Sequence, residues 1–240
     1  MSIWRYANPA EFMRVSGAAL PWVAGGALAA MAVGLVWSLG FTPEDYQQGQ
    51  TVKILFIHVP AAMQAINGYL VMVIASLIGL IRRHHVSFLV AKAAAPIGAG
   101  FTLLGLFTGA VWGEPMWGAW WVWDARLTSF LILFFFYLGY MALWAAIDDP
   151  EKAADLSAVL CLVGGVFAIL SRYAVQFWAT LHQVTSISVT GSALSSEFLY
   201  PLLIMMLAFF LTFLALILVR VRTEIRLRRA RALRLHAAEI

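Results

Sequence analysis

Cysteine is nearly absent from this chain, and charged side chains are scarce. The single Cys161 excludes an internal disulfide, and its position between Leu160 and Leu162 predicts a small buried thiol without a redox role. Charged residues make up 12% of the sequence, hydrophobic residues make up 62%, and the mean hydropathy is +0.85. Such a chain cannot cover itself with polar surface, which excludes a soluble globular protein and predicts one that lies in a lipid bilayer.

The sequence also lacks an internal repeat, a low-complexity tract and a polar stretch long enough for a soluble domain. We therefore expect residues 1–240 to form a single membrane domain. No GxxxxGKS or GxxxxGKT motif occurs, so we expect no ATP site in this chain. We also predict that the protein is not an enzyme.

Six apolar runs are long enough to cross about 30 Å of hydrocarbon as helices. The first is too long for the h-region of a cleaved signal and precedes no A-x-A site, so we count it as a span. The sequence therefore predicts an all-α integral membrane protein with six transmembrane helices. The spans lie near residues 18–40, 54–81, 94–112, 127–147, 156–177 and 198–219.

Basic residues are divided unevenly between the two sides that six spans create. One side holds Lys53, Arg126 and Arg172, whereas the other holds Arg5, Arg14, Arg82, Arg83, Lys92, Lys152 and the seven arginines from Arg220 to Arg234. Because cytoplasmic loops carry the positive excess, this distribution predicts that both termini are cytoplasmic. The loop between helices three and four then faces away from the cytoplasm. In a Gram-negative bacterium that side is the periplasm, and the expected location is the inner membrane.

The basic tail, residues 220–240, accounts for much of the net charge of +4 and the pI near 9.5. Clusters of arginine directly after a span usually contact anionic lipid headgroups. We therefore expect a lipid partner and no nucleic acid, although docking of a cytoplasmic protein on the tail stays open.

Five of the ten tryptophans lie between residues 112 and 124, in the loop that joins spans three and four. Tryptophan is common at the lipid headgroup level, but anchoring two helix ends needs only one or two. Flat indoles gathered with glycine indicate a surface that lies against a large flat ligand such as a porphyrin. We call residues 112–126 the tryptophan loop; its indoles are Trp112, Trp117, Trp120, Trp121 and Trp123.

The tryptophan loop also carries charged residues. If the segment 117–124 is helical, Trp117, Trp120, Trp121 and Asp124 share one face, with Glu114 and Pro115 turning the chain before it. We expect Asp124 to orient the loop. Arg126 follows directly, where its guanidinium would clamp a haem propionate, or would pair with Asp124 or a headgroup phosphate.

Two of the five histidines are placed for function. His58 lies in KILFIHVPAAMQ, near the outer end of span two, where an ionisable side chain is costly unless it faces a cavity or ligand. Pro60 favours local irregularity there, because it releases the carbonyl of Phe56 from the helix ladder. His182 follows span five on the same side of the membrane. We interpret the other three, His84, His85 and His236, as solvated cytoplasmic residues.

His58 and His182 together match the needs of bis-histidine haem, one nitrogen donor on each side of the ring. A zinc site would need further ligands, which Glu114, Asp124 or Glu197 would have to supply. Five tryptophans have no purpose in a zinc site. The residues therefore favour haem and leave zinc as an alternative.

The stretch WGEPMWGAWWVWDARLT resembles the tryptophan-rich, WWD-type signature of the haem-handling membrane proteins of cytochrome c biogenesis. KILFIHVPAA and WATLHQ resemble the segments with that family's paired periplasmic histidines, which correspond to His58 and His182. Phe177 stands where the family often has a further tryptophan. The resemblance covers nearly the whole chain, and its length and six spans are similar to the smallest branch, the cytochrome c maturation protein C group.

This resemblance implies that the protein binds haem b at the outer face of the membrane and passes it to a membrane-anchored periplasmic haem chaperone. It implies His58 and His182 as axial ligands of the haem iron and the five indoles as the haem platform. The implied partners also include subunits of an ATP-binding-cassette transporter and a small membrane protein.

Two other functions stay open at this point. A b-type cytochrome subunit would carry electrons, but such subunits hold haem between histidines within the spans, and only His58 lies clearly within one. A secondary transporter would place charged or broken-helix sites near the midplane, often in related halves. Here the ionisable residues lie at helix ends and no halves repeat.

Overall fold

The computed structural model describes residues 8–238 except 183–186 and 189–190. The chain is 86% helical, and six helices in its described part are long and apolar enough to cross a membrane. The prediction of an all-α protein with six spans is confirmed. The helices are α1 (Pro9–Leu35), α2 (Leu55–Arg82), α3 (His85–Trp117), α4 (Ala125–Ala146), α5 (Pro150–Phe177) and α6 (Ser196–Ala238).

Short irregular elements complete the fold. A π-helical segment, Val36–Phe41, continues α1, and a 3₁₀ segment, Gln50–Ile54, leads into α2. Two-residue strands, β1 (Ile187–Ser188) and β2 (Gly191–Ser192), pair antiparallel between α5 and α6. The irregular backbone near His58 therefore precedes α2, whereas Pro60 itself lies inside the helix.

Most of the helices are longer than the predicted apolar runs, because polar residues at their ends also favour helix. α5 begins at Pro150, six residues before the predicted span. Asp149 caps the helix by accepting from the Glu151 N–H at 2.9 Å, and proline at the first position loses no helical hydrogen bond. α4 ends at Ala146, one residue before its predicted end.

The basic tail is not a separate segment, since α6 continues through it to Ala238. Arginine, leucine and alanine are strong helix formers, so nothing in this stretch ends the helix. Its first turns are packed: Arg222 donates to the Met13 carbonyl at 2.6 Å, and Lys92 pairs with Glu224 at 2.8 Å. Arg5, which contributes to the predicted charge asymmetry, lies outside the described residues.

His84 has a structural role that the sequence did not reveal. Its Nδ1 accepts from the Ser87 N–H at 3.0 Å, which caps the start of α3. Arg83 beside it donates to both carboxylate oxygens of Asp155, at 2.8 and 2.7 Å, and so ties the α2–α3 turn to α5. His84 is therefore half-buried, whereas His85 and His236 are exposed as expected.

Glycines allow two buried tyrosines to pack across the core. The rings of Tyr69 and Tyr137 meet edge to face at 4.8 Å, and the Tyr137 hydroxyl donates to the Ala65 carbonyl at 2.7 Å. A Cβ at Gly164 would collide with the Tyr69 hydroxyl, and one at Gly98 would collide with Tyr137. This packing joins α2, α3, α4 and α5.

The chain direction alternates, so three connections meet at one end of the bundle: residues 42–49, residues 118–124 and the described residues between α5 and α6. That end holds the tryptophan loop, His182 and the beginning of α2 with His58. The opposite end holds the α2–α3 and α4–α5 turns.

A histidine and tryptophan cavity at one end of the bundle

A cavity opens between α2, α3, α4 and the connections at this end. About 600 Å³ between these elements is not filled by atoms, and part of this space is open to solvent. Of the residues singled out in the sequence, six line it: His58, Trp117, Trp120, Trp121, Arg126 and His182. Small and apolar residues, including Ala62, Gly105, Gly109 and Phe130, form the rest of its wall.

α2 and α3 hold His58 on one side of the cavity. Its Nδ1 lies 3.1 Å from the Thr108 hydroxyl oxygen. A Cβ at Gly109 would lie 2.9 Å from the imidazole Cε1, so glycine provides the room that the ring occupies. The indole of Trp112 meets the imidazole edge to face at 5.7 Å.

Trp112 and Trp123 do not line the cavity. Trp112 donates from Nε1 to the side-chain oxygen of Gln48 at 3.0 Å and contacts the His58 ring. Gln48 is presented by a tight turn in which Asp45 accepts from the Gln48 N–H at 2.9 Å. Trp123 is 74% exposed and packs edge to face on Trp121 at 5.4 Å.

The tryptophan loop is not helical between residues 118 and 124, so the predicted single aromatic face is wrong. α3 continues through Glu114 and Pro115 and ends at Gly118, whose φ of 70° and N–H bond to the Glu114 carbonyl form a left-handed cap. The irregular segment that follows brings Trp120 and Trp121 to the cavity. Backbone conformation places these indoles, rather than helical spacing.

His182, which follows the end of α5, also lines the cavity. Its ring contacts Trp117 edge to face at 5.0 Å, and its Nδ1 lies 3.6 Å from Asp124 Oδ2. Burial and the nearby Arg126 guanidinium lower the pKa of His182 to about 4, against the opposing effect of the Asp124 carboxylate. The imidazole is therefore neutral at pH 7, the form that ligates metals.

Asp124 has two contacts, one through each oxygen. Oδ1 accepts from the Leu127 N–H at 2.7 Å and caps α4, while Oδ2 faces His182. Arg126 makes no ion pair with Asp124 within the part of the chain that the structure describes. Its guanidinium lines the cavity instead.

Known proteins resemble this chain along its full length. A model of the heme exporter protein C family matches residues 2–236. The chain belongs to the heme exporter protein C family. Heme exporter protein C of Paracoccus denitrificans is 65% identical over 235 residues, which cover 97% of both chains. That of Rhodobacter capsulatus is 57% identical over 235 residues, again 97% of both, and that of Escherichia coli K12 is 44% identical over 182 residues, 76% of this chain and 74% of its relative.

The donor set of this member of the heme exporter protein C family suits haem better than zinc. Among the described residues there is no group of three or more His, Cys, Asp or Glu side chains that would hold a metal ion. Two imidazoles suit an iron whose other ligands come from a porphyrin. The buried Trp121 Nε1, at the cavity, has no hydrogen-bond partner within the described residues, as expected for a donor that would meet a polar group of a ligand.

Sequence reasoning missed several residues of this site. Thr108, Gly109 and Gln48 act through contacts between distant parts of the chain: Thr108 touches a histidine 50 residues away and Gln48 a tryptophan 64 residues away. No local spacing signals such pairs. The small residues at 105 and 109 share a face of α3, and that pattern alone indicates only close helix packing.

Proposed function

We propose that this chain binds haem b in the cavity at the periplasmic face of the inner membrane and delivers it to a membrane-anchored periplasmic haem chaperone during cytochrome c maturation. One observation carries the proposal: His58 and His182, from separate elements, line the same cavity as three indoles and Arg126. Membership of the heme exporter protein C family supports haem as the cargo.

His58 and His182 are the proposed axial ligands of the haem iron, which when bound supplies two open coordination positions. Trp117, Trp120 and Trp121 provide aromatic contact for the porphyrin. In this arrangement Trp112 supports the His58 ring and Trp123 supports Trp121, so both belong to the platform indirectly.

Arg126 is the proposed clamp for a haem propionate. Its guanidinium faces the cavity without an ion pair in the described part of the chain, and a carboxylate would provide the bidentate partner that arginine prefers. Asp124 fixes the loop by capping α4 and faces His182 from behind.

The high exposure of part of the platform suits delivery. Trp120 is 62% exposed and Trp123 is 74% exposed, so a haem chaperone would reach the haem edge and these indoles together. The proposed partners at the membrane are the subunits of an ATP-binding-cassette transporter and a small membrane protein. The transporter would supply the energy from ATP, because this sequence has no ATP-binding motif.

Absorption spectra of the detergent-purified protein test the axial pair. We expect a Soret band in the wild type that weakens or shifts in both His58→Ala and His182→Ala. His236→Ala, at an exposed histidine on α6, is the matched control and should keep the wild-type spectrum. A correctly folded wild type that stays free of haem when haemin is added would refute the proposal.

Trp120→Ala tests the platform. We expect less haem captured or less haem-loaded chaperone, with unchanged membrane insertion, because the substitution removes an indole from the cavity wall and from the exposed surface. Trp22→Ala is the control, since Trp22 is 83% exposed on α1. Wild-type levels of haem-loaded chaperone in Trp120→Ala would contradict this role.

A further inference from the structure

The His58 imidazole has one nitrogen engaged and one available. Nδ1 lies 3.1 Å from the hydroxyl oxygen of Thr108, and the ring lines the cavity. An imidazole that ligates a metal commonly donates its other N–H to an outer partner, which fixes both the tautomer and the ring orientation. In the contact between His58 Nδ1 and Thr108 Oγ1, either the imidazole N–H or the hydroxyl donates.

The other hydrogen bonds of Thr108 identify the donor. Its hydroxyl donates its single proton to the Leu104 carbonyl at 2.7 Å, and the Gly105 carbonyl lies at 3.4 Å on the same side. With that proton used, the oxygen has only lone pairs left for His58. Nδ1 must then carry the N–H that donates to Thr108, and Nε2 keeps its lone pair.

The surroundings hold the ring in this position. The imidazole packs directly against Gly109, next to Thr108, where a larger residue would collide with the ring. The Trp112 indole contacts the imidazole edge to face. His182 has no comparable hydrogen bond, because its Nδ1 stands 3.6 Å from Asp124 and has no closer partner among the described residues.

We propose that Thr108 is a positioning residue for haem binding: by accepting from Nδ1–H it holds His58 in the tautomer whose Nε2 is free to ligate iron. This inference rests on the proposed haem function and goes beyond it, because it assigns the ligating nitrogen of His58 and names the residue that selects it. Loss of such an outer partner typically lowers metal affinity about 10- to 100-fold.

The test combines haemin titration with ring-nitrogen NMR. Thr108→Val removes the hydroxyl at nearly constant shape, and we expect haemin affinity to fall at least about tenfold. Thr108→Ser should restore it. Thr102→Val is the matched control, since the buried Thr102 hydroxyl makes the same kind of bond, to the Gly98 carbonyl at 2.7 Å, on the same helix. It should bind haemin like the wild type.

A merely structural role for Thr108 is distinguished by the His58→Ala background. There Thr108→Val should cause no further loss of haemin affinity, because the group it positions is gone. Equal losses in both backgrounds, or unchanged affinity in Thr108→Val, would overturn the proposal. Helix content and gel-filtration behaviour establish that each variant is folded.

NMR of ¹⁵N-histidine-labelled, haem-free protein separates this inference from the proposed function. The wild type should show His58 protonated on Nδ1, and Thr108→Val should show a mixture of tautomers or protonation on Nε2. If the wild type binds no haemin, the proposed function fails while this spectrum still decides what Thr108 does. A wild-type His58 protonated on Nε2 overturns the inference whatever the titration gives.

Discussion

Arg126 and Asp124 act on the His182 imidazole in opposite directions. The guanidinium disfavours the protonated ring and the carboxylate favours it, while burial disfavours it most. At the scale of single residues, burial therefore accounts for most of the lowered pKa of His182, and these two charges adjust it in opposite directions. The same two residues have positions in the proposed haem site, so charge and ligation are coupled there.

Substitution of either charge should move the pKa of His182 in a known direction. Arg126→Gln removes the nearby positive charge, so the pKa should rise from about 4 towards 6.5 but stay below it, because burial remains. Asp124→Asn removes the carboxylate and should lower the pKa further. The measurement is an NMR titration of the haem-free protein between pH 3 and pH 8.

The direction follows from protonation of the buried ring. Below its pKa the ring becomes charged in a poorly solvated place, so the neutral, ligating form is lost as the pH falls. In Arg126→Gln this loss should begin at higher pH than in the wild type. Identical titration curves for the wild type and both variants would show that neither charge acts on His182.

At the scale of elements, the end of α3 determines the path of the tryptophan loop. Gly118 stops the helix in a left-handed conformation with φ of 70°, and Asp124 starts α4 by capping it. Between these two signals the chain has five residues, 119–123, in which to bring its indoles to the cavity. The turn therefore depends on a backbone conformation that residues with a Cβ rarely adopt.

Gly118→Ala should destabilise this turn by roughly 1 kcal/mol, because a Cβ is strained at positive φ even though the space around it is open. Gly100→Ala is the control: it adds the same atom to an open position within α3, at an ordinary helical φ. Thermal unfolding in detergent, followed by tryptophan fluorescence, compares the two. Equal unfolding temperatures would argue against strain at Gly118.

The spans could be predicted from the sequence, whereas the loop conformation could not. Twenty apolar residues dictate a membrane helix because every backbone group must be satisfied within the segment. The loop conformation depends on one left-handed glycine and on contacts between distant residues, such as Trp112 with Gln48. Trp112 and Trp123 consequently lie behind the cavity wall, although their place in the motif suggested equal roles.

His58 and His182 could be identified as candidates from their type and place, because ionisable residues near a membrane surface seldom lack a purpose. Thr108 could not, since a threonine in an apolar helix is ordinary. The helix ends could not be predicted from hydropathy, because hydropathy indicates only which residues lie in lipid. Residues with high helix propensity extend the helix beyond the apolar run, as in α6.

At the scale of the whole molecule, the helices pack closely where an aromatic ring of one helix lies against a glycine of another. Gly98→Ala should lower the free energy of unfolding by about 1 to 3 kcal/mol, because its Cβ would overlap the buried Tyr137 ring. Gly25→Ala, where no atom lies within 4 Å, should be neutral or stabilising. Thermal unfolding measures the difference, and equal stability of both variants would contradict this packing.

The proposed orientation is tested by labelling introduced cysteines. In a Cys161→Ala background, Tyr46→Cys should react with a membrane-impermeant maleimide on intact spheroplasts, because Tyr46 is 90% exposed in the connection between α1 and α2. Leu235→Cys, on the exposed end of α6, should react only after lysis. Labelling in the reverse order would place the tryptophan loop in the cytoplasm.

The length of α6 sets how far its arginines stand from the lipid. Its 43 residues make a helix about 64 Å long, roughly twice the thickness of the hydrocarbon. Arg234 lies about 22 Å along the axis beyond residue 219, where the apolar run ends. Headgroup charge is screened within about 8 Å at physiological salt. With the helix along the membrane normal, we expect the lipid to attract Arg220 but not Arg231 or Arg234, so that the membrane would hold only the first part of the tail.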